Sequence, residues 1–184
     1  MDNGASSYRR FLEGDNEGMV EIIRDYKDGL TFYLYRFTNQ MNIAEELMED
    51  TFVKLYTKRP KFSGKSSFKT WLYAIGRNCA LNALRRRRWI SDAPLEDYTN
   101  LSDGTDIEAD YIKKEQNAMV RSAMKKLKSE YQQVLYLLYT EEFSIDETAL
   151  IMHKSKRQIE NLVYRAKHSL RSELRKEGFS DEKL

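Results

Sequence analysis

Two serine-led capping boxes set the tightest limit on how this chain folds. Ser144-Ile-Asp-Glu147 and Ser155-Lys-Arg-Gln158 each place a long polar side chain three residues after a hydroxyl. In that pattern the serine accepts from the backbone of the third residue, whose side chain reaches back, so each box marks a helix start. Between the starts there is room for one brief helix and the turn Met152-His-Lys-Ser155. The spacing predicts helices over 144–153 and 155–176. Small Ala149 allows a close crossing, and Ile159, Leu162, Val163 and Ala166 form the stripe that the second helix buries. The pair reads as a helix-turn-helix, with a plain αα-hairpin as the simpler possibility. The remaining face of the second helix carries Lys156, Arg157, Gln158, Glu160, Asn161, Tyr164, Arg165, Lys167 and His168. Lys156, Arg157, Gln158 and Asn161 can reach base edges in a major groove, and Arg165 and Lys167 suit phosphate. Ser155 and Tyr164 complete this candidate DNA-binding face.

Helical periodicity extends over most of the rest, and only 8 Gly and 2 Pro interrupt the chain. Residues 16–38 repeat Met19, Ile22, Ile23, Tyr26, Leu30, Tyr33, Leu34 and Phe37 at three- and four-residue steps. Residues 43–57 turn Leu47, Met48, Thr51, Phe52 and Leu55 inward. Pro60 and Gly64 break the pattern, and Ser66 or Ser67 can cap the next helix. That helix shows a broad face of Phe68, Trp71, Leu72, Ile75, Cys79, Asn82 and Ala83. Further helices are expected over 111–127 and 130–140. The fold class is therefore all-α: two small helical domains, residues 1–90 and 111–184, joined by an acidic flexible linker over 91–110.

Net charge is only +2, but the charges are segregated. From residue 58 to 89 every charged residue is basic: Lys58, Arg59, Lys61, Lys65, Lys69, Arg77, Arg85, Arg86, Arg87 and Arg88. From 91 to 110 every one is acidic. Blocks of this kind mark a nucleic-acid binder with an acidic tether. Aromatic side chains lie among the cations, and rings beside cations suit single-stranded nucleic acid, on which bases stack while cations follow the backbone. Phe68 and Trp71 read equally as core residues. One helix face, Glu45, Glu46, Glu49 and Asp50, is acidic; taken alone it is a solvated surface.

Other classes find little support. No apolar run approaches the roughly 20 residues that span a bilayer, and the first residues lack the apolar stretch of a signal peptide, so no membrane insertion and a cytoplasmic location are expected. A lone Cys79, read as a small core residue, with His153 and His168, gives no metal site, no disulfide and no cofactor. An enzyme such as a nuclease needs a constellation that the carboxylates do not form, so no catalytic residue is expected.

The pieces, in this order, resemble an ECF (extracytoplasmic-function) type sigma factor of bacterial RNA polymerase. "NIAEELMEDTFVKLY" is similar to region 2.2, which binds the β′ clamp of the polymerase. "SSFKTWLYAIGRNCALNALRRRR" is similar to regions 2.3 and 2.4, whose F-x-x-W-L-x-x-I-x-x-N pattern is met by Phe68, Trp71, Leu72, Ile75 and Asn78. Residues 127–170 are similar to region 4. The resemblance implies that Glu45, Glu46, Glu49 and Asp50 bind core polymerase. It implies that Lys61, Phe62, Lys65, Ser66, Phe68, Lys69, Trp71, Arg77, Asn78 and the arginine run meet the −10 element. It also implies that the helix-turn-helix meets the −35 element, that the acidic linker occupies the RNA exit path, and that an anti-sigma factor is a further partner. Where family members often open the recognition helix with Gly-Thr-Val-Lys, this chain has Arg157, Gln158, Ile159 and Glu160, so no upstream preference carries over. Glu49 stands where glutamine is common. The rival reading is a helix-turn-helix regulator that acts on duplex DNA without polymerase.

Overall fold

The protein's structure, a computed structural model, describes residues 3–90 and 111–178, with side chains described over 3–86 and 118–178. All regular structure among the described residues is helical: α1 (Asn3–Leu12), α2 (Glu17–Thr38), α3 (Met41–Lys58), α4 (Phe68–Ile90), α5 (Tyr111–Lys125), α6 (Ser129–Tyr139), α7 (Ile145–Met152) and α8 (Lys156–Lys176). The expected linker, 91–110, lies outside the described residues.

In the N-terminal unit α2 packs on α1, α3 and α4. Its core is Tyr8, Phe11, Met19, Ile22, Leu30, Tyr33, Leu34, Ala44, Leu47, Phe52, Leu55, Phe68, Leu72 and Tyr73. Helix α1 was not expected, although Ala5, Tyr8, Phe11 and Leu12 stand at helical spacing. Ile23, expected inward, is exposed because α3 and α4 meet α2 along the neighbouring stripe through Ile22, Leu30 and Tyr33.

Helix α4 starts as expected: the Ser67 hydroxyl accepts from the Thr70 backbone N–H at 3.1 Å. Its buried stripe runs through Phe68, Leu72, Tyr73, Gly76 and Ala80. The expected face was rotated from this, and Asn82 is exposed. The reason is that α4 packs against several helices at once, α2, α3 and α7 among them.

Both capping boxes form. Ser144 Oγ accepts from Glu147 N at 3.2 Å, and the Glu147 carboxylate accepts from Ser144 N at 3.0 Å. Ser155 Oγ and Gln158 Oε1 accept in the same way, at 3.2 and 2.7 Å. His153, at φ +51°, carries the turn between α7 and α8. Ile159, Leu162 and Ala166 are buried where α8 packs on α6 and α7, which contribute Val134, Leu137, Ile151 and Met152 to the core.

Candidate nucleic-acid and protein interface

Under the basic segment lies a nest of rings. Phe62, Phe68 and Trp71 approach one another at 5.2–5.7 Å, and Tyr8 of α1 lies 5.5 Å from Phe68 and 5.3 Å from Trp71. The Tyr8 hydroxyl donates to the Pro60 carbonyl at 2.7 Å, tying the loop before α4 to α1. Burial pushes the Tyr8 phenol up to about 12, against the opposing pull of the Arg59 charge.

Phe68 is a correction. Its ring is 0% exposed, closed in by Tyr8, Tyr26, Phe62 and Trp71. No face remains on which a base can stack. Phe62 and Trp71 are half-buried on the rim of the same nest. Lys61 and Lys65 are exposed, Ser66 and Asn78 are half-buried, and Arg85 and Arg86 are exposed at the far end of α4. Arg77 is half-buried, with its guanidinium beside the Tyr33 hydroxyl. The side chains of Arg87 and Arg88 lie outside the described residues.

On α3 the carboxylates of Glu45, Glu46, Glu49 and Asp50 share one exposed face, opposite Ala44, Leu47, Thr51 and Leu55. On α8 Lys156, Arg157, Gln158, Asn161, Tyr164, Arg165 and Lys167 are all exposed. Two of them have local work. Gln158 spends its Oε1 on the capping box, leaving only its amide donors for a base. The Lys167 ammonium lies 5.0 Å above the Tyr139 ring.

The two units also meet each other, through side chains that sequence reading missed. The Lys69 ammonium pairs with the Glu141 carboxylate at 2.8 Å and donates to the Glu141 carbonyl at 3.0 Å. Tyr136 donates to the same carboxylate at 2.9 Å. The Thr70 hydroxyl donates to Glu147 at 3.0 Å, with Ser67 at 3.4 Å. Farther along, Ser129 donates to the Arg36 carbonyl at 2.6 Å, and the Arg36 guanidinium stacks 4.9 Å from the Tyr136 ring. Burial alone raises the Glu141 carboxyl, but hydrogen bonds from Lys69 and Tyr73, the Lys69 charge and the Tyr136 hydroxyl outweigh it and hold it below its ordinary 4.5. Glu147 is likewise lowered: burial opposes, and the Ser144 backbone, Ser144, Thr70 and Ser67 prevail.

A depressed carboxyl stabilises the arrangement only while charged. Its contribution is complete above the ordinary value and fades as pH falls through the depressed one. The contact between the units is therefore expected to hold at neutral pH and to loosen only as pH falls below the ordinary 4.5 of these carboxyls. Small-angle scattering, with circular dichroism to verify that the helices persist, reads this; a contact that persists in acid for as long as the helices do removes Glu141 and Glu147 as its ionic support.

No group of His, Cys, Asp and Glu among the described residues is arranged to hold a metal, and no helix among them is long and apolar enough to cross a membrane.

Comparison with known proteins adds the following. Residues 22–90 match the family pattern described as Sigma-70 region 2, and residues 117–170 match Sigma-70, region 4. The ECF RNA polymerase sigma factor SigW of Bacillus subtilis is 25% identical over 176 residues, which cover 91% of this chain and 94% of the relative. The RNA polymerase sigma factor YlaC of the same organism is 29% identical over 162 residues, covering 87% and 94%. Among solved structures, the sigma factor RpoE in complex with the anti-sigma factor NepR, from Bartonella quintana, is similar with TM-score 0.68 at 22% identity, covering 84% of this chain and 95% of that one. CnrH in complex with the cytosolic domain of CnrY has TM-score 0.63 at 20% identity, covering 93% and 95%. These structural likenesses speak for the fold.

Proposed function

The chain belongs to the sigma-70 family, in its ECF branch, and directs promoter-specific transcription by RNA polymerase; from that premise we propose how its residues divide the work. The acidic face of α3, with Glu45, Glu46, Glu49 and Asp50, docks the β′ clamp of core polymerase. Lys61, Phe62, Lys65, Ser66, Lys69, Trp71, Arg77 and Asn78 take the −10 element and its opened strand, and the arginines from Arg85 to Arg88 hold phosphate. Lys156, Arg157, Gln158 and Asn161 read the −35 element, flanked by Ser155 and Tyr164, while Arg165 and Lys167 hold its backbone. The chain performs no chemistry of its own and works in the cytoplasm, where an anti-sigma factor controls it. The observation that carries this reading is the order of the two matched regions along one chain, each falling on its own helical unit.

The test is run-off transcription from genomic fragments with core polymerase and this protein. Discrete new transcripts are expected. No transcripts, together with tight operator binding by the free chain, support the rival duplex-binding regulator.

Arg157 is the cleanest probe of upstream reading, since Gln158→Ala also removes a cap. Arg157→Ala is expected to change preference at one or two upstream base pairs by about 1–3 kcal/mol. Arg165→Ala is expected to weaken binding evenly on all sequences, as a phosphate contact does. Equal losses on every promoter for both variants remove the base-reading role of Arg157.

A further inference from the structure

Helix α1 lies before the residues matched to Sigma-70 region 2, 22–90, yet it holds the loop that leads into α4. That loop, 59–67, has little else to fix it. Among the described residues, 60–66 make no backbone–backbone hydrogen bond. The chain passes through left-handed backbone at Arg59, φ +43°, and at Gly64, φ +69°, where a Cβ would meet open space. Lys61, Ser63, Gly64 and Lys65 are exposed. The anchors are α1 and the ring nest. The Tyr8 hydroxyl donates to the Pro60 carbonyl at 2.7 Å, the Arg59 guanidinium lies 4.9 Å from the Phe11 ring, and Phe62 packs against Phe68 and Trp71.

The support itself is firm. The Ser7 hydroxyl donates to the Glu21 carboxylate at 2.6 Å and Arg10 donates to it at 3.0 Å, which ties α1 to α2. Two glycines admit the close packing: a Cβ at Gly4 would overlap the Phe68 ring and the Tyr26 hydroxyl, and one at Gly18 the Ser7 carbonyl. The Tyr8 side chain is 1% exposed among Phe11, Phe68 and Trp71, so its hydroxyl has a fixed direction. With the phenol pushed up to about 12 by burial, that hydroxyl stays a donor through the neutral range.

We propose that Tyr8 is a positioning residue for selection of the −10 element: its hydroxyl holds the Pro60 carbonyl and thereby fixes the conformation in which Lys61, Phe62 and Lys65 meet the opened strand. This rests on the reading above, in which that loop faces the −10 element. Binding residues on a loop select only as sharply as the scaffold holds them. The charges of Lys61 and Lys65 act over a Debye length of about 8–10 Å and tolerate a shift of the loop. The close fit of a base against Phe62 does not. Discrimination is therefore lost before general affinity for DNA. A hydrogen bond of ordinary net strength moves an equilibrium about fivefold, which sets the size of the effect.

The experiment uses holoenzyme assembled from core polymerase and the full chain. The templates are a promoter found by run-off transcription and versions of it with single-base changes in the −10 or −35 element. Tyr8→Phe keeps the ring in the nest and removes only the hydroxyl. It is expected to retain helicity, binding to core polymerase and −35 preference. The ratio of open-complex formation between the parent and altered −10 sequences is expected to narrow about fivefold. Leu12→Ala truncates a side chain of the same helix that is 40% exposed. It is expected to lower stability without narrowing either ratio. If Tyr8 served the core alone, its loss would slow opening equally on every sequence and leave the −10 ratio unmoved, and that result overturns the proposal. So does equal narrowing of the −10 and −35 ratios, a −10 ratio narrowed as much by Leu12→Ala, or a Tyr8→Phe chain that loses its helices. The parent tests the reading underneath. Parent opening that responds to −10 changes, beside any of those results, leaves the function standing and removes the role of Tyr8. Parent opening that ignores every −10 change removes the reading on which that role rests.

Discussion

Phe68→Ala is expected to destabilise the N-terminal unit by about 3–5 kcal/mol, the usual cost of emptying a buried phenylalanine site. Small domains hold only about 5–15 kcal/mol in all, so the variant stands near the threshold of unfolding. Three observations set the size. The ring is 0% exposed, it is enclosed by Tyr8, Tyr26, Phe62 and Trp71, and it lies on the stripe by which α4 joins α2 and α3. Tyr8 also holds the Pro60 carbonyl, so collapse of the nest frees the loop that carries Lys61, Phe62 and Lys65. Loss of promoter opening is then expected together with loss of helicity, in urea titrations followed by circular dichroism. Phe68→Leu retains most of the volume and is expected to keep both fold and opening at a smaller cost. A Phe68→Ala chain as stable as the parent, yet unable to open promoters, reverses the assignment and returns this ring to the DNA.

Phe68 also marks how far the sequence could be read. Local signals read well. Each capping box is complete within four residues, so the starts of α7 and α8 were legible, as was the Ser67 cap of α4. The exposed faces of α3 and α8 were legible too, since each helix buries one stripe and the charges fall opposite it. Periodicity assumes a single partner, and α4 has several, α2, α3 and α7 among them, so its buried stripe was rotated away from the expected one. The nest around Phe68 depends on Tyr8, 60 residues upstream, and no local pattern tells which distant ring meets another. Glu141 and Glu147 were invisible for the same reason. Nothing within a few residues of either tells that Lys69 and Thr70 lie within hydrogen-bonding distance.

Reversal of the α3 face by Glu46→Lys with Asp50→Lys is expected to weaken binding to core polymerase severely while sparing the fold. Both carboxylates point away from Ala44, Leu47, Thr51 and Leu55, so the core is untouched. The two positions are one helical turn apart and present their charges to the same partner surface. Breaking a close charge pair that is desolvated in an interface costs about 2–5 kcal/mol, and a pair at the rim far less. At the lower figure the dissociation constant rises roughly 30-fold, since each 1.4 kcal/mol is tenfold. Charge reversal adds repulsion to loss, so the effect is expected to exceed that of Glu46→Gln with Asp50→Gln, and to shrink as salt screens the surface. Titration of labelled protein with core polymerase at low and high salt, after circular dichroism has shown unchanged helicity, separates these contributions. Binding that is equal for parent, amide and lysine forms makes this face an ordinary solvated surface, and the polymerase contact must then be sought elsewhere on the N-terminal unit. A loss confined to the lysine form locates the face near the polymerase without direct pairing. A graded loss, amide smaller than lysine and both salt-dependent, is what a docking face made of these carboxylates requires.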